Sequence, residues 1–356
     1  MAYSSIVKPT DNFRTKLYAG NGSARSITFD ESANMQPDLM WLKGRDTTAS
    51  WLCNDAVRGA TKRLKLDQTS AESTETGMIT SFNTNGFSLG TTSTSNNNGS
   101  NYVAFNWKAN GAGSANTNGS LNSTVSANTT AGFSIVTYTA GGSSAVSTIG
   151  HGLGAVPKMI IVKGRDANST PDQWMVYHEA LGNTKRIKLN STDAAATGSG
   201  YWNNTTPTSS LFTVGSSSEG NSANGVYIAY CFADVTGYSK FGSYIGNASN
   251  DGTFVYTGFK PAFVIAKLTS VAGENWYVWD NKRSTAGNVV DKFLYPNLTN
   301  AEVGSTNFID FLSNGFKLRS SSDVLNGSGN THIYMAFAEN PLVANSGTEG
   351  VPATAR

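Results

Sequence analysis

The chain has three histidines, His151, His178 and His332. Nucleophilic catalysis needs a base held beside the nucleophile, and none of the three recurs with a fixed serine and acid along the sequence. No phosphate-cradling Gly-Lys-Ser/Thr loop is present and no serine elbow is expected. Gly150-His-Gly152-Leu-Gly154 is glycine-rich but leads into a strand pattern with no helix after it, so it reads as a turn and not a dinucleotide site. Glycoside hydrolysis requires two carboxylates facing each other across the sugar. Here Asp and Glu are scattered, with no alternating acidic strand. Cys53 and Cys231 stand apart in apolar runs and read as buried free thiols. The histidines lack ligand spacing and no EF-hand loop occurs, so neither metal nor cofactor is expected. Ser249-Asn250-Asp251 with Asp323 could serve a loop calcium site, although turn chemistry accounts for them equally.

Polar recognition is the chemistry left. Three Ser/Asn/Gly-rich loops, 91–100, 216–224 and 320–330, offer amides and hydroxyls suited to sugar hydroxyls, with Asn97, Asn98, Asn221, Asn224, Asn326 and Asn330 as candidates. Tyr201-Trp202-Asn203-Asn204 places an aromatic pair in a polar loop, a candidate for stacking on a sugar ring.

The loops hang on a repeated framework. Arg58-Gly-Ala-Thr-Lys-Arg-Leu-Lys-Leu66 returns as Leu181-Gly-Asn-Thr-Lys-Arg-Ile-Lys-Leu189, and Trp51 and Trp174 precede the two copies by the same interval. Both pairs are offset by 123 residues, 174 − 51 and 189 − 66. A third, weaker copy follows the same order. Each copy has a strand marked by Pro37, Pro157 or Pro261 and a second strand carrying Trp51, Trp174 or Trp276. Each closes on a strand opened by Tyr102, Tyr227 or Tyr334. Solenoid and propeller repeats run at roughly 20–50 residues, so a period of 157 − 37 = 120 and 261 − 157 = 104 indicates whole domains. Each proline marks strand entry, because it cannot donate to the ladder. The six recurring aromatics are expected as core, with each tryptophan packed between two sheets.

The expected fold is all-β: three tandem antiparallel β-sandwich, jelly-roll-like repeats, since short β-branched and aromatic strands alternate with turn residues. The boundaries read as an arm at 1–12, repeats at 13–110, 131–235 and 238–341, a Gly/Ser/Asn/Thr linker at 111–130 and a tail at 342–356. That linker predicts relative motion between the first two repeats. Val289-Val-Asp-Lys-Phe-Leu294 could form one helical turn. Charged residues make up only 14% of the chain and the net charge is +2, with no basic stripe, which argues against nucleic acid as a partner. The chain start shows no signal-peptide pattern and no run of 18 apolar residues occurs, so neither secretion nor membrane insertion is expected.

Several strings carry a resemblance. Tyr18-Ala-Gly-Asn-Gly22, Met35-Gln-Pro-Asp38, Asp55-Ala-Val-Arg-Gly59, Ser81-Phe-Asn-Thr-Asn-Gly-Phe87 and Tyr102-Val-Ala-Phe lie in the first repeat. The stretches 151–163, 237–244, 253–261 and 330–341 continue the pattern. Together they resemble the concanavalin A-like domain proteins of marine tailed-phage virions. The resemblance implies a sandwich fold and a non-enzymatic place in the virion, assembled in the host cytoplasm, and it supplies no catalytic residues. A tail-fibre or adhesin component touching a host-surface glycan is the leading expectation. It would be mounted on other virion proteins through the terminal arms and form a homo-oligomer, with a trimer favoured. A capsid or tail decoration (cement) protein is the alternative, and a polysaccharide depolymerase comes third.

Overall fold

The computed structural model describes residues 4–142, 145–169, 173–284, 289–304 and 308–342. The chain is all-β, with several antiparallel sheets and short helical turns between strands. The sheets come as three large ones, each faced by a small one. In the first large sheet, Phe13–Ala19, Asn101–Trp107, Leu39–Gly44 and Leu52–Asp55 lie side by side. The second repeats that order with Phe133–Thr139, Val226–Phe232, Met159–Gly164 and Trp174–His178, and the third with Ser239–Ile245, Thr331–Pro341, Phe259–Leu268 and Trp276–Asp280. The small sheets are Arg25–Thr28 with Gly86–Leu89 and Ile79–Asn83; Ser147–Gly150 with Leu211–Val214; and Phe254–Tyr256 with Gly315–Leu318, Ile309–Leu312 and Val289–Val290. Val289 and Val290 are therefore strand, where a helical turn was conceivable.

Pro37 and Pro157 precede their strands, but Pro261 lies inside Phe259–Leu268. The ladder there shifts register on both sides of Pro261, which accommodates the missing N–H. The segment expected as a free linker is structured too: Ser114–Asn116 and Ser123–Asn128 extend the second large sheet, with Val125 opposite Val136. Backbone pairing outweighs the polar composition, because the two strands of this segment pair with each other and with Phe133–Thr139.

Alternation along each central strand sends side chains to two different cores. From the closing strand of the first segment, Tyr102 and Ala104 face the small sheet with Met40, Leu42, Phe87 and Leu89. Val103, Phe105 and Trp107 face the other way, into a core shared with the other two large sheets. Trp51, Trp174 and Trp276 are all in this shared core, at 0%, 0% and 1% exposure. The tryptophans thus pack between large sheets, on the face turned away from the small ones, as alternation along the strand dictates.

The shared core has a cyclic pattern. Trp107, Phe232 and Phe337 form a triangle with centroid distances of 6.4, 5.8 and 6.1 Å, every pair edge-to-face. Around it, each indole N–H reaches the preceding segment in cyclic order: Trp51 Nε1 donates to the Tyr295 carbonyl, Trp174 Nε1 to that of Lys65 and Trp276 Nε1 to that of Lys188, at 2.8, 2.9 and 2.8 Å. The Trp174 bond ties the second segment to the first, across the junction where relative motion was expected.

Strand pairing also corrects the third copy. Gly44 pairs with Tyr102 and Gly164 with Tyr227, but Leu268 pairs with His332. His332, and not Tyr334, occupies the position of Tyr102 and Tyr227. A two-residue slip keeps the face unchanged, so Tyr334 is still buried, at 4%. Of the arm at 1–12, residues 1–3 lie outside the described residues, while Ser4 and Ile6 are buried and Ile6 joins the shared core. Residues 343–356 of the expected tail lie outside the described residues.

Candidate functional site

The three polar loops share one device. Each forms a short helical turn, Ser93–Asn96, Ser218–Asn221 or Asp323–Asn326, ending on an asparagine with no exposed surface. Asn96 Nδ2 donates to the Ser23 and Gly90 carbonyls, Asn221 Nδ2 to those of Ala145 and Gly215, and Asn326 Nδ2 to those of Ser249 and Ser320. The carboxamides staple loop to loop and cannot face a ligand. Asn221 and Asn326 are thus structural, and Asn96, their equivalent, was overlooked because Asn97 and Asn98 crowd beside it. Asn97, Asn98 and Asn224 are exposed, and half-buried Asn330 donates to the Asp323 carbonyl. Among the described residues, no hydrogen bond or ion pair joins one of these loops to another.

The aromatic pair at 201–204 divides. Trp202 is 1% exposed, with Nε1 donating to the Lys185 carbonyl at 3.0 Å and its ring edge-on to Tyr177 at 5.6 Å. It fills a core with Tyr177, Phe212 and Val214 and offers no ring to a sugar. Tyr201 is half-buried under the Arg186 guanidinium, 4.7 Å from its ring centre. Asn203 and Asn204 are exposed in the left-handed region, at φ 51° and 50°.

The groups expected to lack catalytic partners are engaged in the framework. His151, His178 and His332 each set a ring nitrogen against a backbone carbonyl, of Thr208, Tyr334 and Val324. Burial lowers all three from the usual histidine range, His178 to about 4. Cys53 and Cys231 are free and buried, and desolvation pushes the Cys53 thiol up to about 12. One string was passed over: Gly86-Phe-Ser88-Leu-Gly90 has nucleophile-elbow spacing. Ser88 lies within a strand, its Oγ 3.1 Å from Ser26 Oγ and 3.0 Å from Asn83 Nδ2, with no histidine among those partners. Among the described residues no cluster suited to a metal occurs. The Asp251 carboxylate is paired with Lys317 at 2.5 Å and Arg319 at 3.3 Å, and the Asn250 Oδ1 accepts from the Ser321 N–H.

Tertiary structure assembles one constellation that the sequence hides, at the seams between segments. Asp55 and Arg58, both without exposed side-chain surface, pair at 2.5 Å. Arg58 also reaches Glu72 at 3.1 Å, and Arg165 from the second segment meets the same carboxylate at 3.0 Å. Tyr230 Oη donates to Asp55 at 2.7 Å. The seam between the first and third segments repeats this set: Arg283 pairs with Asp280 and, at 3.1 Å, with Glu302, which Arg45 grips through two bonds of 2.8 Å. Burial opposes the charge of Glu302, but Arg45 and Arg283 hold it below the usual carboxylate range. At the remaining seam the corresponding positions are His178, Leu181, Ala195 and Thr269; there the Ala195 N–H donates to the Thr269 carbonyl and the His178 ring lies 3.1 Å from the Tyr334 carbonyl. A groove of about 680 Å³ opens beside Glu302, lined by Arg45, Asp46, Lys282, Arg283 and Lys292. At both charged seams an arginine stands between the two carboxylates and joins the segments.

Neither the curated proteins nor the solved structures yield a match to this chain. One family model matches residues 8–341, a span that includes all three sheet pairs. The chain belongs to the family described as a domain of unknown function (DUF7483).

Proposed function

We propose that this chain is a non-enzymatic structural protein of a tailed-phage virion, three tandem concanavalin A-like sandwiches that act as a tail-fibre or adhesin component in host attachment. The observation that carries the reading is the closed aromatic core: the Trp107, Phe232 and Phe337 triangle and the cycle of indole bonds fix three sheet pairs as one body. Such a body leaves three similar loop sets at its periphery, and loops on a rigid scaffold are where recognition concentrates. Burial of the histidines, the cysteines and the seam aspartates Asp55 and Asp280 supports the non-enzymatic part. Self-association into a homo-oligomer, favoured as a trimer, belongs to the proposal, because repeated weak glycan contacts gain on the order of 10²–10⁴ in avidity. Both this reading and the decoration-protein alternative mount the chain through its terminal arms, and burial of Ser4 and Ile6 weighs equally against using the start of the first arm in either. Gold-labelled antibody on intact particles tests the reading. Label at the tail tip together with blocked adsorption supports attachment, and label over the head with adsorption intact overturns it.

A further inference from the structure

The three small sheets differ on their outer faces. In the third, Phe254 and Tyr256 are 43% and 55% exposed while Val255 between them points into the core. Among the described residues no other aromatic side chain is as exposed, and neither ring stacks on another aromatic. Register identifies their counterparts. Val255 pairs with Phe316 as Ile27 does with Phe87 and Ile149 with Phe212. Phe254 and Tyr256 therefore stand where the first segment has Ser26 and Thr28 and the second has Thr148 and Gly150. The fold accepts small polar residues at both positions, so packing does not require the rings. Exposed aromatics also cost solubility.

Around the rings, Lys317 lies directly opposite Phe254 and the side-chain-free Gly315 opposite Tyr256. Lys317 and Arg319 are matched by Asp251 and Asp310, at 2.5 Å for the Lys317–Asp251 and Arg319–Asp310 pairs. Two cations against two carboxylates leave the rim without net charge but rich in donors and acceptors. We infer that this face binds an uncharged polysaccharide, the two rings lying against the apolar C–H faces of its sugars and the Lys317, Arg319 and Asp251 rim meeting the hydroxyls. A self-neutralised rim does not favour an acidic chain. A second copy is disfavoured by size: two half-exposed aromatic side chains cover about 200 Å², against roughly 800 Å² per partner in a stable interface. The inference deepens the attachment reading and rests on it.

The test is affinity electrophoresis of the full chain through native gels holding dextran, mannan or a β-glucan, with alginate as the acidic comparison. A Phe254→Ser, Tyr256→Thr double variant copies the first segment's residues, and its thermal melt reports folding. We expect retardation by at least one neutral polysaccharide, none by alginate, and binding about tenfold or more weaker in the double variant. Equal retardation of both proteins, retardation by alginate alone, or none by any polysaccharide overturns the inference. So does sedimentation in which the wild type pairs through this face and the variant does not. Tail-tip labelling with blocked adsorption alongside such a failure would leave the attachment reading standing, whereas neutral-glycan binding by a protein that labels the head would remove that reading alone.

Discussion

Replacing Arg58 with leucine isolates the energetics of the first seam. The guanidinium is fully buried and makes the 2.5 Å contact to Asp55, the 3.1 Å contact to Glu72 and a 2.9 Å bond to the Cys53 carbonyl. Without it, Asp55 keeps the Tyr230 hydroxyl at 2.7 Å and the backbone N–H of residue 58 at 2.9 Å, but its charge has no counterion in a site with no exposed surface. Breaking a buried pair from one side costs about 3–5 kcal/mol, much more than the pair is worth against a well-packed apolar replacement. At about 2.1 cal/mol/K per residue the unfolding entropy of a chain this size is near 0.75 kcal/mol/K, so Tm should fall by about 4–7 °C. The chain supplies its own control, because the seam of the second and third segments has His178, Leu181, Ala195 and Thr269 at these positions. Transplanting that set as Asp55→His, Arg58→Leu, Glu72→Ala and Arg165→Thr should recover stability to within about 2 kcal/mol of the parent. Urea unfolding followed by tryptophan fluorescence reads both variants, since Trp174 lies on the same seam. A loss below about 1 kcal/mol for the single change, or a fourfold variant no more stable than the single one, would refute the argument that uncompensated burial sets the cost.

Trp202→Ala should lose about 3–5 kcal/mol in urea unfolding by opening the core it fills, and should leave polysaccharide retardation unchanged once folding is restored at low temperature. Acid should destabilise the chain between pH 6.5 and about 4: His178 is neutral when folded and protonates first in the unfolded chain, so stability present above pH 6.5 is lost as pH falls, by up to about 3 kcal/mol. A His178→Gln variant should show a shallower decline in Tm over that interval. On the alkaline side Lys43 and Lys267, both lowered to about 8 by burial, bind fewer protons folded than unfolded. Stability should therefore rise from pH 8 towards 10, then fall as the buried tyrosines, Tyr230 and Tyr238 among them, keep protons that the unfolded chain releases. A flat Tm between pH 8 and 10 would count against charged Lys43 and Lys267 as a burden on the fold. Asn326→Ala should raise hydrogen exchange at Ser249 to Gly252 before any global loss, because the staple it removes is local.

The all-β class was legible in the sequence because it follows from local terms. Period-2 patterning, prolines at strand starts and β-branched runs act within a few residues. What neighbours what across the chain is not encoded in any such window. The same Trp51, Trp174 and Trp276 that read as sandwich core lie on the opposite face of their sheets, and only closure of the three large sheets shows why both faces of a central strand are apolar. Tyr334 looked like the third copy of Tyr102 because a two-residue slip preserves the face; the ladder assigns that place to His332. Trp202 in its polar loop gave no hint of burial, since burial depends on Lys185 and Tyr177 arriving from other strands. The seam charges were invisible for the same reason. Arg45 and Glu302 meet across 302 − 45 = 257 residues, and Phe254 and Tyr256 become an exposed pair only when their strand takes the edge of a small sheet with its outer face open. The sequence by itself determined that strands form and where they repeat; the tertiary structure decided which side chains are core, seam or surface, because burial and electrostatics are set by partners distant in the chain.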